Sequence, residues 1–124
     1  MKNFYNLNDI KDINQSIHEI LDIKNNIGKY QKIFDDKIIG LIFFNPSLRT
    51  RMSTYKASKN LGLEPFFINI TNNTWSLEFE DGKIMDSSNV EHIKDAARVI
   101  SEYCDIIGVR SFPLLKSKEK DAED

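Results

Sequence analysis

The sequence feature that most limits how this chain can fold is an apolar run, residues 38–44, that ends in Asn45-Pro46. Short apolar runs bounded by turn residues are typical of strands buried in a parallel sheet. Helical spacing of apolar residues begins just after Ser47, and serine is a residue type that caps helix N-termini well. The stretch therefore predicts a strand, a turn and the start of a helix.

The predicted helix start has the chemistry of an anion site. The first backbone N–H groups of a helix have no intrahelical acceptor, and the helix dipole adds partial positive charge there. Arg49, Thr50 and Arg51 add two guanidinium groups and a hydroxyl, so a phosphate or a carboxylate would fit. The alternative is an ordinary helix cap followed by solvated basic residues. The strand in front favours the anion site, because doubly wound sheets bind ligands at the carboxyl ends of their strands.

The order of the predicted elements is typical of an α/β fold. A helix that Gly62 stops separates the first strand from a second apolar run at residues 65–70, which predicts a βαβ unit with a right-handed crossover. Residues 93–104 have the spacing of another helix, and the strand predicted after it ends at Arg110. A parallel sheet would bring Arg110 to the same edge as the Ser47 turn.

Smaller features are predicted around this unit. Isoleucine and leucine at helical spacing predict an amphipathic helix over residues 10–21, with Gly28 ending it or its continuation. Asp35-Asp36-Lys37 is a turn signal before the first strand. Apolar residues on both sides of Asp81-Gly82 predict a small hairpin. Cys104 lies on an apolar helix face, which favours buried packing over a reactive thiol.

Composition excludes several classes of protein. The 124 residues are 40% hydrophobic and 29% charged, which is typical of one globular domain. A net charge of −2 argues against a nucleic-acid binder that relies on phosphate contacts. The longest apolar stretch is far shorter than the roughly 20 residues of a membrane span, and the N-terminus has no signal-peptide pattern. We therefore expect a cytoplasmic protein that binds no membrane. Two histidines and one cysteine, far apart in sequence, give no metal-ligand set.

Four separated motifs resemble those of the aspartate and ornithine carbamoyltransferase family, in the same order. They are Phe43 to Arg51, Asn73 to Phe79, Glu91-His92-Ile93 and Asp105 to Pro113. They are most similar to the branch that acts on N-acylated ornithine. The resemblance implies an α/β fold, a parallel sheet with flanking helices, that forms the N-terminal carbamoyl-phosphate-binding domain of a two-domain transferase. Residues 1–124 would be that domain, incomplete at its C-terminal end, and the amino-acid-binding domain would be absent.

The resemblance also implies an activity and a set of site residues. The enzyme would transfer the carbamoyl group of carbamoyl phosphate to the side-chain amine of an N-acylornithine in arginine biosynthesis, with no cofactor. The residues that match the family's phosphate site are Ser47, Leu48 (through its N–H), Arg49 and Thr50. Thr50 and Arg110 would be catalytic, because both would reach the carbonyl oxygen and Arg110 would bridge it to the phosphate. Arg51 would orient the loop without touching the ligand.

Trp75 and Val90 match positions near the acceptor in the N-acylornithine branch. The family's tryptophan reaches into the neighbouring subunit's site, which implies a homotrimer and makes Trp75 a substrate-binding candidate. From sequence alone, a loop tryptophan usually anchors its own domain, but the small polar neighbours of Trp75 predict an indole that is exposed until another surface covers it. Val90 stands where acetyl-type enzymes carry an acidic residue and succinyl-type enzymes a proline. An uncharged valine would not repel a succinyl carboxylate, so N-succinylornithine is favoured over N-acetylornithine.

Other interpretations stay open at this point. The family's His-Pro-x-Gln segment is absent, and residues 116–124 have the composition of a solvated tail where the family continues into further elements. We therefore expect a chain that is cut short and inactive alone. A non-catalytic anion-binding module or a nonfunctional fragment is the alternative. RNA binding through Arg49 and Arg51 is a third hypothesis, which the lack of a basic patch with interleaved aromatic residues weakens.

Overall fold

A three-stranded parallel sheet is the centre of the fold. The computed structural model describes residues 3–70, 75–84 and 91–112. Its strands are β1 (Ile38–Phe43), β2 (Glu64–Asn69), β3 (Leu77–Glu78), β4 (Glu91–His92) and β5 (Ile106–Arg110). β1 lies in the middle of the main sheet and pairs in parallel with β2 on one side and β5 on the other. The predicted α/β fold with a parallel sheet and flanking helices is confirmed.

The helices of the described residues follow the predicted order. They are a 3-10 helix (Leu7–Asp9), α1 (Ile13–Asn25), α2 (Ile27–Tyr30), α3 (Leu48–Leu61) and α4 (Ile93–Tyr103). None of these helices combines the length and the apolar character that crossing a bilayer requires. The prediction that Gly28 ends a helix is wrong, because α1 already ends at Asn25 and Gly28 lies inside α2. Asn26 supplies the cap instead, since its N–H donates to the Asp22 carbonyl at 2.9 Å.

The two local signals around α3 act as predicted. Ser47 is the N-cap, with extended backbone and a hydroxyl oxygen that accepts the Thr50 N–H at 3.3 Å. Gly62 is the C-cap and has a left-handed φ of 88°, which glycine adopts without steric cost. A side chain at this position would also meet Lys32, whose Cα would lie 2.9 Å from the added Cβ. These two residues fix where α3 begins and ends. The cap at Ser47 also fixes where the first turn of the helix lies after β1.

The core lies between the sheet and α4. Its buried members are Ile42, Ile70, Leu77, Ala96 and Ile100. The approach is closest at Gly40, where an added Cβ would lie 2.6 Å from the Cys104 Sγ. Burial raises the pKa of the Cys104 thiol, which keeps it protonated and favours the packing role predicted for it.

The predicted hairpin at Asp81-Gly82 is wrong. β3 pairs with β4 in parallel, with Leu77 opposite Glu91 and Glu78 opposite His92. The carboxylate of Glu78 is buried, accepts the N–H groups of the next two residues and pairs with Lys83 at 2.9 Å. The chain therefore turns directly after β3 instead of extending into a hairpin arm. The features predicted at residues 73–74, at Val90 and at residues 116–124 lie outside the described residues.

Candidate functional site

The carboxyl ends of the three main strands lie level with one another. Phe43, the last residue of β1, is in register with Asn69 of β2 and Arg110 of β5. Hydrogen bonds continue this alignment past the strand ends, because the Phe44 N–H donates to the Arg110 carbonyl and the Ile70 N–H donates to the Phe43 carbonyl, both at 3.0 Å. The turn after β1 therefore opens at the edge where parallel sheets bind ligands.

Arg110 is held against this turn, as predicted from its place at the end of β5. Its Nη1 donates to the main-chain oxygens of Asn45 at 3.0 Å and Pro46 at 3.3 Å. The guanidinium also lies over the Phe112 ring, with Cζ 4.2 Å from the ring centroid. These contacts use one nitrogen of a group that carries five N–H donors. Within the described residues, Nη2 and Nε therefore stay available for an anionic ligand at the turn.

The first turn of α3 presents further donors at the same edge. By their position, the N–H groups of Leu48 and Arg49 have no acceptor within the helix. The Arg49 side chain is exposed, and Leu48 has 73% of its surface accessible. Thr50 is half-buried, and its N–H is already bonded to the Ser47 hydroxyl oxygen. Main-chain donors of the first turn of α3 and the guanidinium of Arg110 thus lie at the β1–α3 turn, and the exposed Arg49 belongs to the same turn of the helix. This arrangement suits a phosphate.

Arg51 faces the sheet rather than the solvent. Its Cζ lies 4.6 Å from the centroid of the Phe43 ring and 5.1 Å from that of the Phe67 ring. Its Nη2 donates to the side-chain oxygen of Asn69, at the end of β2. The arginine therefore joins the helix start to two strand ends.

Trp75 packs into its own domain, so the prediction of an exposed indole is wrong. It is half-buried against the core, and with Phe66, Val99 and Tyr103 it lines an apolar groove of about 790 Å³ between β2 and α4. These apolar partners come from elements distant in sequence, which the polar neighbours of Trp75 do not reveal. Phe66 and Tyr103 keep 56% and 72% of their surfaces exposed, so much of the groove faces outwards.

Two asparagines contribute to the site without having been predicted as site residues. The Asn45 side-chain oxygen accepts the Phe112 N–H at 2.8 Å, so this residue binds the segment after β5 through both its backbone and its side chain. Asn69 holds Arg51. Asn45 follows an apolar run, a position that turns also explain, whereas Asn69 lies within the second apolar run and had no sequence signal of its own. Across the described part of the chain, no group of three or more His, Cys, Asp or Glu residues could hold a metal ion.

A parallel sheet that brings Arg110 to the start of α3 at its carboxyl edge defines an α/β domain with a candidate anion site. Residues 2–123 match the sequence profile described as the aspartate/ornithine carbamoyltransferase, carbamoyl-P binding domain. The chain belongs to this family, and the resemblance inferred from the four motifs is confirmed.

Similar proteins agree with this assignment and show how much of them the chain covers. It is 44% identical over 121 residues to the N-succinylornithine carbamoyltransferase of Bacteroides fragilis (strain 638R), which covers 98% of this chain and 38% of that protein. It is 41% identical over 124 residues to the N-succinylornithine carbamoyltransferase of Bacteroides thetaiotaomicron, covering 100% of this chain and 39% of the relative. The chain therefore spans well under half the length of these relatives.

A solved structure has the same fold. It is a glutamate-to-valine mutant of N-acetyl-L-ornithine transcarbamylase, complexed with carbamyl phosphate and N-succinyl-L-norvaline. The TM-score is 0.85 at 36% identity, and the match covers 100% of this chain and 37% of that one. The described fold is thus that of one part of a longer carbamoyltransferase.

Proposed function

We propose that this chain supplies the carbamoyl-phosphate site of a transferase that carbamoylates the side-chain amine of an N-acylornithine, as a step of arginine biosynthesis in the cytoplasm. The observation that carries the proposal is the contact of Arg110 with the Asn45 and Pro46 carbonyls. It puts a guanidinium from the end of β5 beside the helix start that carries Ser47 and Arg49. Membership of the carbamoyltransferase family supplies the reaction class.

The reaction needs positioned charge rather than a covalent nucleophile. The neutral acceptor amine attacks the carbonyl carbon of carbamoyl phosphate, the bond from that carbon to the phosphate oxygen breaks, and phosphate leaves with the bonding electrons. The amine nitrogen gives up one proton, which the leaving phosphate can accept. The N–H groups of the first turn of α3 and the Arg49 guanidinium would bind the phosphate. Thr50 and Arg110 would stabilise the negative charge that develops on the carbonyl oxygen. Arg110 would also contact the leaving phosphate, so one residue would serve both parts of the donor.

N-succinylornithine is the favoured acceptor and N-acetylornithine the next. Two relatives that match nearly the whole chain are named for the succinyl substrate. In addition, an acetyl-type enzyme whose glutamate was changed to valine has been solved with N-succinyl-L-norvaline. Val90 is proposed as the corresponding uncharged position, where a succinyl carboxylate would meet no repelling charge. The rest of the acceptor site would come from polypeptide beyond this chain.

Assembly into a homotrimer is proposed with this function. The groove between β2 and α4 leaves apolar surface uncovered beside Trp75 in the single chain. Burial of such a surface favours association of subunits. A neighbouring subunit would cover the groove, and the indole would then contribute to that subunit's acceptor site.

Acceptor discrimination in the complete polypeptide tests the proposed function. The polypeptide encoded by the gene that carries this sequence should form a citrulline derivative from carbamoyl phosphate and N-succinylornithine. The kcat/KM for that acceptor should exceed the value for N-acetylornithine, and the value for free ornithine should be lowest. No product with any of the three acceptors, from protein that is folded and binds carbamoyl phosphate, would favour a non-catalytic anion-binding module instead.

A further inference from the structure

Two arginines in the first turn of α3 have different surroundings. Arg49 and Arg51 are two residues apart, so on a helix of 3.6 residues per turn they point to nearly opposite sides. Arg49 is exposed, whereas Arg51 is half-buried against the sheet. Within the described residues, the motif therefore contains one exposed guanidinium and one that packs against the sheet.

Aromatic rings from both strands form the surface on which Arg51 lies. Phe43 belongs to β1 and Phe67 to β2, and their ring centroids are 6.2 Å apart. Tyr55, one helical turn after Arg51, stacks on the Phe67 ring with centroids 6.2 Å apart. A guanidinium within about 6 Å of a ring centroid is attracted to the negative face of the ring. Arg51 satisfies this distance for two rings at once.

Asn69 adds a directional contact to this stacking. Its side-chain oxygen accepts a hydrogen bond from the Arg51 Nη2, and its backbone is in register with Phe43 at the edge of the sheet. Within the part of the chain that the structure describes, no carboxylate forms an ion pair with Arg51. Arg51 is thus held by ring faces and an amide oxygen, which constrain its orientation more than an ion pair on a flexible surface would.

We propose that Arg51 is a positioning residue of the carbamoyl-phosphate site, acting through its contacts with Phe43, Phe67 and Asn69. These contacts set the rotation and the distance of the first turn of α3 relative to the strand ends. The donors of Ser47 to Thr50 lie on this turn. Arg110 holds the residues before Ser47 through the main-chain oxygens of Asn45 and Pro46, and Arg51 holds the helix after Ser47 against the sheet. The donors are correctly spaced only when both sides of the turn are held.

The inference rests on the proposed function, because it concerns the geometry of the same donor site. A direct ligand contact by Arg51 would predict that loss of its charge alone matters. A positioning role predicts that Asn69 matters as well, although its amide would not touch the ligand. Arg51→Lys separates the two roles, since lysine keeps the charge but lacks the planar group that stacks and donates in a fixed geometry.

The test uses the complete polypeptide and measures the Kd for carbamoyl phosphate, the kinetic constants and the free energy of unfolding. Arg51→Met, Arg51→Lys and Asn69→Ala should each raise the Kd, Arg51→Met by about tenfold. In a positioning role that Asn69 exerts through Arg51, the double variant Arg51→Met/Asn69→Ala should bind carbamoyl phosphate no more weakly than Arg51→Met alone. Arg98→Met is the matched control, since Arg98 is an exposed arginine of α4 that pairs with Asp95.

The possible outcomes distinguish failure of the positioning role of Arg51 from failure of the proposed function. A wild-type polypeptide that binds no carbamoyl phosphate overturns the proposed function and this inference together. Binding in the wild type with an unchanged Kd in Asn69→Ala or Arg51→Lys overturns the positioning role alone. A lower free energy of unfolding in Arg51→Met without a higher Kd also overturns it, because the contacts would then be merely structural.

Discussion

The Nη1 atom of Arg110 donates to the main-chain oxygen of Asn45 at 3.0 Å, although the two residues are 65 positions apart in the chain. The side-chain oxygen of Asn45 also accepts a hydrogen bond, from the N–H of Phe112 at 2.8 Å. The turn after β1 and the end of β5 are thus bound to each other before any ligand arrives. A donor site built in this way needs little reorganisation on binding, which favours affinity.

Substitution of Arg49 by alanine should almost abolish binding of carbamoyl phosphate by the complete polypeptide, with the Kd raised about 100-fold. A hydrogen bond to a charged group contributes about 1.5–3 kcal/mol, and the proposed site uses this exposed guanidinium to bind the phosphate. Isothermal titration measures the change, with Arg98→Ala as the control at an exposed arginine outside the site. Equal affinities in the two variants would reduce the motif to a plain helix cap.

The 124-residue chain alone should have no transferase activity, even if it binds phosphate weakly. It would hold the carbamoyl donor but would lack the part of the protein that presents the acceptor amine, and catalysis by positioning needs both. The measurement is formation of N-succinylcitrulline by the purified chain, next to the complete polypeptide at the same concentration. Product above the uncatalysed rate from the short chain would contradict the prediction.

Complementation between subunits should reveal whether Trp75 serves a neighbouring site. Subunits carrying Trp75→Ala are mixed with subunits carrying Arg110→Ala, and each variant should be inactive when it assembles alone into the proposed homotrimer. In a shared site, some interfaces of mixed trimers combine an intact Trp75 with an intact Arg110, so part of the activity should return.

The packing of Trp75 in its own domain requires a control for folding. Circular dichroism should show that the Trp75→Ala subunits are folded, and Trp75→Leu, which keeps more apolar volume, serves as a second variant. No recovery in trimers that mass measurements show to be mixed would assign Trp75 to its own subunit.

Gly62→Ala should lower the free energy of unfolding by about 2 kcal/mol. The left-handed backbone conformation is unfavourable for alanine, and the added methyl group would crowd Lys32. Gly28→Ala is the matched control, since an added Cβ there meets nothing within 4 Å and Gly28 lies in a helix. That control should be neutral or stabilising by up to about 1 kcal/mol. Urea denaturation measures both. A similar loss at the two glycines would contradict the conformational explanation.

Asp105 should make stability depend on pH in the acid range. Its carboxylate accepts hydrogen bonds from Lys37 at 2.8 Å and the Ile38 N–H at 2.9 Å, which hold its pKa below the usual range. A carboxylate with a lowered pKa in the folded state stabilises the fold above its unfolded pKa of about 3.9, and this contribution is lost as the pH falls through the folded value.

Urea denaturation of wild type and Asp105→Asn at several pH values below about 5 checks this dependence. The variant should lose less stability on acidification, by a modest amount because the pair is partly exposed to solvent. Asp95→Asn is the control, because Asp95 forms an exposed pair on α4. If the free energy of unfolding depended on pH to the same reduced extent in both variants, the acid sensitivity could not be assigned to Asp105.

The sequence allowed those parts of the fold to be predicted whose signals are local. Ser47 and Gly62 fix the ends of α3 through their own backbone conformations, and the apolar run before Asn45 is long enough to indicate a buried strand. Arg110 could be placed at the Ser47 turn because parallel strands align their carboxyl ends.

The predictions failed where distant residues decide the structure. The parallel pairing of Leu77 with Glu91 and the buried pair of Glu78 with Lys83 are contacts that hydrophobic periodicity cannot predict. Trp75 packs against a core that includes Ile42 and Ile100, which are distant from it in sequence. The link from Arg51 to Asn69 joins residues 18 positions apart through side chains that no local pattern predicts to meet.

The contact between Gly40 and Cys104 restricts how this domain can vary. The two residues share one small volume, since a methyl group on Gly40 would lie 2.6 Å from the sulfur. Enlargement at either position must be matched by a reduction at the other, so a Gly40→Ala change is compatible with the fold only beside a smaller residue at position 104. A residue larger than cysteine at position 104 would in the same way push the end of α4 away from β1, so this pair sets how closely the helix can approach the sheet.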